Sequence, residues 1–248
     1  MSARLLLIED DASIARYVQL ALEELPDFEP AAPAVELSVV SRLSLARDAL
    51  AAGGWQLVIS DFMLPDGSAE ALLAEGWPQR TGAPPWVIFS AGLHEGRARE
   101  LAAHGVARTL RKPVPLAQLL TTIAELLDPA RAADAAVPAA PVVVQDPVQQ
   151  HFGGDRALFD SFRAGCIERF AADIDAGNAA WAAADVAALR HVAHGLKAVL
   201  VLIGHGDLAE QARALEQGAA DWTPGQPLPG GWNALAQGLQ ALRAPGAD

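Results

Sequence analysis

The sequence predicts an α/β domain with a doubly wound parallel sheet, followed by an all-α helical bundle. In the first half, short apolar runs that end on polar residues alternate with stretches of helical period. In the second half, apolar residues recur only at helical spacing. Between the halves, a stretch rich in alanine and proline has no sustained period. We therefore predict a sheet domain at 1–128, a linker at 129–146 and a bundle at 147–248.

Five strands, each followed by a helix, are predicted in the sheet domain. A short apolar run bounded by turn residues indicates a strand, and apolar residues that recur every three or four positions indicate a helix. Gly53 and Gly54 end the second helix, and Pro65-Asp66-Gly67 turns the chain after the third strand. The strands are predicted at 4–8, 35–40, 55–61, 86–90 and 106–111, and the helices at 14–25, 43–52, 68–75, 95–103 and 116–127.

Four helices are predicted in the bundle, at 155–176, 185–203, 207–216 and 233–242. In the second of them, apolar residues step by three and four positions, as on the buried side of a bundle helix: Val186, Leu189, Ala193, Leu196, Leu200 and Ile203. Pro227 and Pro229 indicate a loop before the last helix. A short strand at 142–144 has no obvious partner in the sequence.

Charge and composition exclude several classes of function. The net charge is −12, and both halves are acidic, so neither offers the basic face that nucleic acids require. No apolar run approaches the roughly 18 residues of a membrane helix, and nothing near the start resembles a signal peptide. The lone cysteine, Cys166, cannot form an intramolecular disulfide. We therefore expect a cytoplasmic protein that binds neither nucleic acid nor membrane.

Polar side chains follow four of the five predicted strands. Glu9 and Asp10 follow the first strand, Asp61 and Ser90 end the third and fourth, and Lys112 follows the fifth. Because the carboxyl ends of parallel strands meet at one edge of a sheet, we expect these side chains to converge. Three carboxylates together need a cation, and oxygen ligands suit Mg²⁺. A hydroxyl and a lysine nearby suit a phosphoryl group, so the predicted chemistry is attack by the Asp61 carboxylate on phosphorus.

A second candidate site lies on the predicted helix 185–203. Lys112 and Lys197 are the only lysines among 18 basic residues, and Lys197 follows His191 and His194 at steps of three. We expect His194 to be exposed, because an exposed neutral imidazole is a nucleophile toward phosphorus, and a lysine one turn away can hold phosphate oxygens. Two other interpretations stay open: the histidines are ordinary solvent-facing residues, or His191 and His194 bind a metal.

Residues 4–127 resemble a two-component response-regulator receiver domain, which has a flavodoxin-like fold. The resemblance rests on Glu9-Asp10, Asp61 with Pro65 and Gly67, Ser90-Ala91 and Lys112-Pro113, in the order and spacing of that family. It implies that Glu9, Asp10, Asp61 and the backbone carbonyl of Met63 hold Mg²⁺ or another divalent cation. It also implies that Asp61 accepts the phosphoryl group and that Ser90 and Lys112 contact it. The bond that corresponds to Lys112-Pro113 is often cis in that family. Asp11 is an alternative to Asp10 as a ligand. The chain departs from the family at Thr109, where an aromatic residue is usual.

Residues 148–244 resemble a histidine-containing phosphotransfer domain. The central string is Ala193-His194-Gly195-Leu196-Lys197, and Phe152-Gly153-Gly154-Asp155, Ile203-Gly204, Leu208-Ala209 and Leu215-Glu216 accompany it. The resemblance implies that His194 is phosphorylated and that Lys197 is its partner. The chain departs from the family at Ala198, where glycine is common, and we expect its methyl group on the helix surface to be a small obstacle to a docking receiver.

These observations predict a phosphorelay protein that passes a phosphoryl group between partners through Asp61 and His194, and within one chain where the linker allows. The expected partners are histidine kinases and other receiver domains. An alternative is a regulatory module in which the receiver controls access to His194 or to a kinase without direct transfer. A phosphatase with an Asp nucleophile usually carries a second Asp two residues on, and Met63 occupies that position. We therefore expect no enzyme beyond the receiver's own phosphorylation and dephosphorylation.

Overall fold

The computed structural model describes residues 2–90, 95–128 and 146–244. They form two compact units, one on either side of residues 129–145. The predicted linker lies outside the described residues except for Asp146, and the strand considered at 142–144 lies wholly outside them. Within the described ranges, no helix is both long enough and apolar enough to span a membrane.

The first unit is built on a parallel sheet of five strands in the order β2-β1-β3-β6-β7. This is the predicted flavodoxin-like, doubly wound arrangement. Strand β2 lies on one side of β1, and β3, β6 and β7 follow on the other side. The strands in chain order are β1 (Ala3–Ile8), β2 (Val35–Val40), β3 (Leu57–Asp61), β4 (Met63–Leu64), β5 (Gly67–Ser68), β6 (Trp86–Ser90) and β7 (Arg108–Arg111). The short strands β4 and β5 pair with each other as a separate hairpin.

Helices follow the strands of this unit as predicted. They are α1 (Ala12–Phe28), α2 (Leu43–Ala52), α3 (Glu70–Ala74), α4 (Glu95–Ala103) and α5 (Leu116–Leu127), with a 3₁₀ turn at Trp77–Gln79. Strand β3 is buried at all five positions, as expected for a central strand that helices cover on both faces. Its last residues are polar, so Ser60 and Asp61 are carried into the interior at the carboxyl end of the sheet.

The segment after β3 differs from the prediction of a helix at 68–75. The hairpin of β4 and β5 occupies its start, and α3 covers only Glu70–Ala74. Asp66 in the hairpin turn accepts hydrogen bonds from the backbone N–H groups of Leu43 (2.8 Å) and Ser44 (3.1 Å). These are orphan donors at the start of α2, whose own N-cap residue, Arg42, makes no side-chain cap bond. The hairpin therefore caps a helix that lies elsewhere in the sequence.

The second unit consists of helices α6 (Pro147–Phe152), α7 (Arg156–Ala182), α8 (Val186–Leu202), α9 (Gly206–Ala220) and α10 (Trp232–Arg243). Three of them begin at an Asp that accepts hydrogen bonds from the first turn: Asp146, Asp155 and Asp185. The predicted apolar positions of α8 are all buried: Val186, Leu189, Ala193, Leu196, Leu200 and Ile203. Helix α6 was not predicted from the sequence.

Helix α7 continues beyond the predicted end at 176 because its last turns pack against α10. Gly177 lies against the buried ring of Trp232, and Asn178 accepts a hydrogen bond from the Trp232 indole at 3.0 Å. A Cβ atom at position 177 would come within 2.0 Å of that ring. The periodic pattern of apolar residues did not reveal this extension, because small residues rather than large ones make the contact.

Candidate functional site

Three carboxylates converge at the carboxyl edge of the sheet. Glu9 and Asp10 follow β1, and Asp61 ends the neighbouring strand β3. One carboxylate oxygen from each residue lies within 4.8 Å of the others, and Glu9 and Asp61 are buried. Oxygen ligands at this spacing suit a hard divalent cation such as Mg²⁺, so the residues present fit the metal that the sequence analysis predicts.

Lys112 reaches this cluster from the carboxyl end of the edge strand β7. It follows β7, two strands away from β3, and its ammonium group lies 5.9 Å from the ring centre of Phe89 on the strand between them. Its Nζ atom is 2.7 Å from Glu9 Oε2 and 3.1 Å from Asp61 Oδ1. Asp61 Oδ1 also accepts a hydrogen bond from the backbone N–H of Phe62 at 2.7 Å. A single lysine thus contacts both buried carboxylates.

Burial and charge act together on the acid–base behaviour of the cluster. Burial raises the pKa of Glu9 well above its ordinary value; Lys112 opposes this effect and Asp61 adds to it. Burial by itself would lower the pKa of Lys112, but Asp61 and Glu9 outweigh it and hold that pKa above the usual range. The lysine therefore stays cationic, whereas Glu9 releases its proton less readily than an exposed carboxyl does. A bound divalent cation would favour the ionised form of these carboxylates.

The other predicted residues of this site lie around the cluster. Ser90 ends β6, and its carbonyl accepts a hydrogen bond from Lys112 N at 2.9 Å. Asp11 caps α1, since its Oδ1 accepts from Ser13 N at 2.7 Å, and it is not among the converging carboxylates. Met63 lies on β4, and the role of its carbonyl stays a prediction. Ala91 lies outside the described residues.

The segment that follows Lys112 contains a cis peptide bond and a hydrogen bond to α1. The Lys112-Pro113 peptide bond is cis, as the corresponding bond often is in the family that residues 4–127 resemble. Just beyond it, the buried hydroxyl of Tyr17 on α1 donates a hydrogen bond to the carbonyl of Val114 at 2.8 Å. Burial raises the pKa of Tyr17, so this hydroxyl keeps its proton.

The second site, on α8, contains a residue to which the sequence analysis gave no role. Glu216 on α9 joins both predicted residues: its Oε1 is 2.6 Å from His194 Nδ1, and its Oε2 is 2.5 Å from Lys197 Nζ. The three side chains are only 12–17% exposed. In the sequence, Glu216 stands out from Glu210 on the same helix only through Leu215-Glu216 in the resemblance, and its contacts follow from the packing of α9 on α8.

Charge at this second site favours an ionised carboxylate. Burial by itself raises the pKa of Glu216, but hydrogen bonds from His194 and Lys197 outweigh it and lower that pKa to about 2. When Nδ1 of His194 carries a proton, it donates to this carboxylate, and the lone pair is then on Nε2. Such an imidazole has the tautomer that a nucleophile at Nε2 requires.

Two expectations about α8 need correction. Ala198 is buried, whereas we expected its methyl group on the surface, because α8 packs between its neighbours at that position. Its methyl group therefore presents no obstacle to a docking partner. His194 is half-buried rather than openly exposed, because Glu216 covers one side of the ring. His191 is also half-buried.

Several solved structures similar to this chain are receiver domains, and each covers about half of it. A signal receiver domain from Vibrio parahaemolyticus is 26% identical, and the match covers 54% of this chain and 96% of that one, with a TM-score of 0.45. A two-component response regulator from Clostridium difficile is 16% identical over 54% and 99% of the two chains, with a TM-score of 0.43. The non-phosphorylated HemR receiver domain from Leptospira biflexa is 20% identical over 56% and 99%, also with a TM-score of 0.43. No protein-family model and no curated protein matches the chain.

Proposed function

We propose that this protein is a two-component phosphorelay protein that carries a phosphoryl group on Asp61 of its first unit and on His194 of its second. The observation that carries the proposal is the contact of Lys112 with the buried carboxylates of Glu9 and Asp61 at the carboxyl edge of the sheet. A carboxylate held among acids, beside a single lysine, suits a reaction in which charge moves onto phosphoryl oxygens.

Glu9, Asp10 and Asp61 would hold the divalent cation, with the Met63 carbonyl as a further ligand by resemblance. When bound, the cation offsets the negative charge of the phosphoryl oxygens and of the carboxylates. Phe62 N and Lys112 bind Asp61 Oδ1 and orient the carboxylate that attacks phosphorus. As the new O–P bond forms, the bond from phosphorus to the donor breaks, and Lys112 and the Ser90 hydroxyl receive the phosphoryl oxygens.

His194 exchanges the phosphoryl group through Nε2. Glu216 accepts a hydrogen bond from the Nδ1–H group and orients the ring, and it stabilises the positive charge that develops on the imidazole during attack. Lys197, which is held by the other oxygen of Glu216, lies one turn from His194, where it can contact phosphoryl oxygens. Partners of matching chemistry are the phosphohistidine of a sensor kinase and the aspartate of another receiver.

The assignment of Asp61 is tested with acetyl phosphate and Mg²⁺ on the full chain. We expect a base-labile, acid-stable label on wild type and none on Asp61→Asn. Asp48→Asn is the matched control, because Asp48 is an exposed aspartate on α2 in the same unit. Equal labelling of Asp61→Asn and Asp48→Asn would contradict the proposal.

The assignment of His194 is tested with a phosphorylated receiver as donor. We expect an acid-labile label on wild type that His194→Gln abolishes. His191→Gln is the matched control, because it removes a half-buried imidazole one turn away on the same helix. A label that survives in His194→Gln and disappears in His191→Gln would move the active histidine by one turn.

A further inference from the structure

A cleft of about 210 Å³ lies near the amino ends of β3 and β6, whereas Asp61 lies at the carboxyl end of β3. Its walls come from the loop before β3, which includes Trp55, and from the segment 77–86, which leads into β6. Asp61 ends β3, four residues beyond the start of that strand at Leu57, or about 13 Å at the usual rise per residue. The cleft is therefore separate from the phosphoacceptor site.

Tryptophans dominate the walls of this cleft. Three of the six tryptophans in the chain line it: Trp55, Trp77 and Trp86. Trp86 is fully buried, whereas Trp55 and Trp77 are half-buried. A guanidinium lies over one side of each half-buried ring: that of Arg4 is 4.2 Å from the ring centre of Trp55, and that of Arg80 lies over Trp77. An occupant would contact the ring surface that these arginines leave uncovered. The volume limits the occupant to a small molecule, and the indole rings favour one that is flat and aromatic.

The charge of the residues that line the cleft favours an anionic occupant. Arg80 lines the cleft, and its guanidinium carbon lies 3.3 Å from the ring centre of Trp77. Among the described residues that line the cleft there is no carboxylate, although the protein as a whole carries a net charge of −12. Glu75 accepts a hydrogen bond from the Trp77 indole and interacts electrostatically with Arg80, but it does not line the cleft. A guanidinium stacked on an aromatic ring in such a wall suits a carboxylate.

One hydrogen-bond donor in the walls is unused. The indole N–H of Trp55 donates to the Ala49 carbonyl at 2.7 Å, and that of Trp77 donates to Glu75 at 2.8 Å. The indole N–H of Trp86 is buried without a partner among the described residues. A buried donor left unpaired carries a free-energy cost. An occupant that brings an acceptor atom to Trp86 would remove that cost.

We propose that this cleft binds a small aromatic carboxylate, which stacks on the indole rings, places its carboxylate at Arg80 and supplies an acceptor to the Trp86 N–H. The proposal concerns a site distinct from Asp61 and His194 and does not depend on the phosphorelay function.

The test uses ¹⁵N-labelled full-length protein titrated with 2-naphthoate, with the six indole N–H signals observed by NMR. Neutral 2-naphthalenemethanol is the matched probe without charge. We expect the Trp86 signal to shift saturably with naphthoate. We also expect about tenfold weaker binding of the neutral probe, and of naphthoate to Arg80→Gln, because each loses a charge-assisted hydrogen bond. Arg42→Gln, at an exposed arginine of the same unit, should bind as wild type does.

Trp86→Phe identifies the Trp86 signal and removes its donor, and Arg80→Gln provides an independent test if Trp86→Phe fails to fold. The proposal is overturned if naphthoate leaves the Trp86 signal unmoved. It is also overturned if naphthoate and the neutral probe bind equally, or if Arg80→Gln and Arg42→Gln behave alike, since binding would then be non-specific adhesion to apolar surface.

Discussion

Glu216 holds both residues of the second site through its two carboxylate oxygens, so the properties of the three side chains are linked. The pKa of Glu216 is lowered from its ordinary value of about 4.5 to about 2. Glu216 is therefore mostly ionised in the folded protein once the pH is above about 2. A carboxyl whose pKa is lower in the folded state stabilises the fold above its unfolded pKa, and the contribution is lost as the pH falls toward the folded pKa.

Replacing Glu216 by Gln should therefore destabilise the second unit in a pH-dependent way. We expect the loss in melting temperature relative to wild type to be largest near neutral pH and to shrink between about pH 5 and about pH 2.5, where wild type loses the same contribution. Thermal melts followed by circular dichroism measure this. Glu210→Gln is the control, since Glu210 lies on the same helix with a side chain 67% exposed. A constant difference across that range would contradict the argument.

Lys197→Ala should cost more stability than an ordinary surface substitution. The side chain is only 12% exposed, and its ammonium group is 2.5 Å from Glu216. A lysine that lies off the buried positions of a helix would ordinarily cost no more than about half a kcal/mol on removal. The contact with Glu216 changes the expectation to about 1–3 kcal/mol in the free energy of unfolding, measured in urea.

Lys197→Met separates the charge from the packing of the lysine stem, because methionine keeps an apolar chain of similar length. We expect it to recover part of the stability lost in Lys197→Ala but none of the rate of phosphotransfer. If Lys197→Ala unfolds with the same free energy as wild type, the ion pair with Glu216 contributes nothing to stability.

At the scale of elements, the sheet could be predicted well because its causes are local. Each strand is a short apolar run, and parallel strands bring their carboxyl ends to one edge, so Glu9, Asp10, Asp61 and Lys112 could be grouped without coordinates. The contact of Glu216 with His194 could not be predicted, because it depends on how α9 is rotated against α8. The hairpin of β4 and β5 was missed because two-residue strands carry no period.

The packing of α7 against α10 gives a sharp prediction for a pair of glycines on one helix. Gly177→Ala should lower the free energy of unfolding by about 1–3 kcal/mol, because the new methyl group would overlap the buried ring of Trp232. Gly165→Ala on the same helix meets nothing within 4 Å and should be neutral or stabilise by up to about 1 kcal/mol. Urea unfolding of both variants measures the contrast, and equal effects would show that Trp232 moves aside freely.

At the scale of the whole molecule, we expect Asp61 and His194 to exchange a phosphoryl group within one chain. A flexible chain as long as the predicted linker at 129–146 has a root-mean-square span of roughly 25 Å, and tethering over such a length gives an effective concentration on the order of millimolar. Wild-type transfer should therefore be independent of protein concentration.

A dilution series compares wild type with an equal mixture of Asp61→Asn and His194→Gln, in which transfer can occur only between chains. The mixture should slow on dilution while wild type does not. If wild type slows in parallel, transfer occurs between chains. The first unit would then be better understood as a regulator of the second than as its donor or acceptor.

The bond from Asp66 to the start of α2 has a consequence for how freely this region can change during evolution or engineering. Because Asp66 binds the backbone N–H groups of Leu43 and Ser44, the cap does not depend on the side chain at position 42. A library of substitutions at position 42 should thus tolerate most residues, whereas one at position 66 should retain only residues with a short acceptor side chain. Replacing the loop after Asp61 by the corresponding loop of another protein would remove the cap of α2, although the replaced segment includes no residue of that helix.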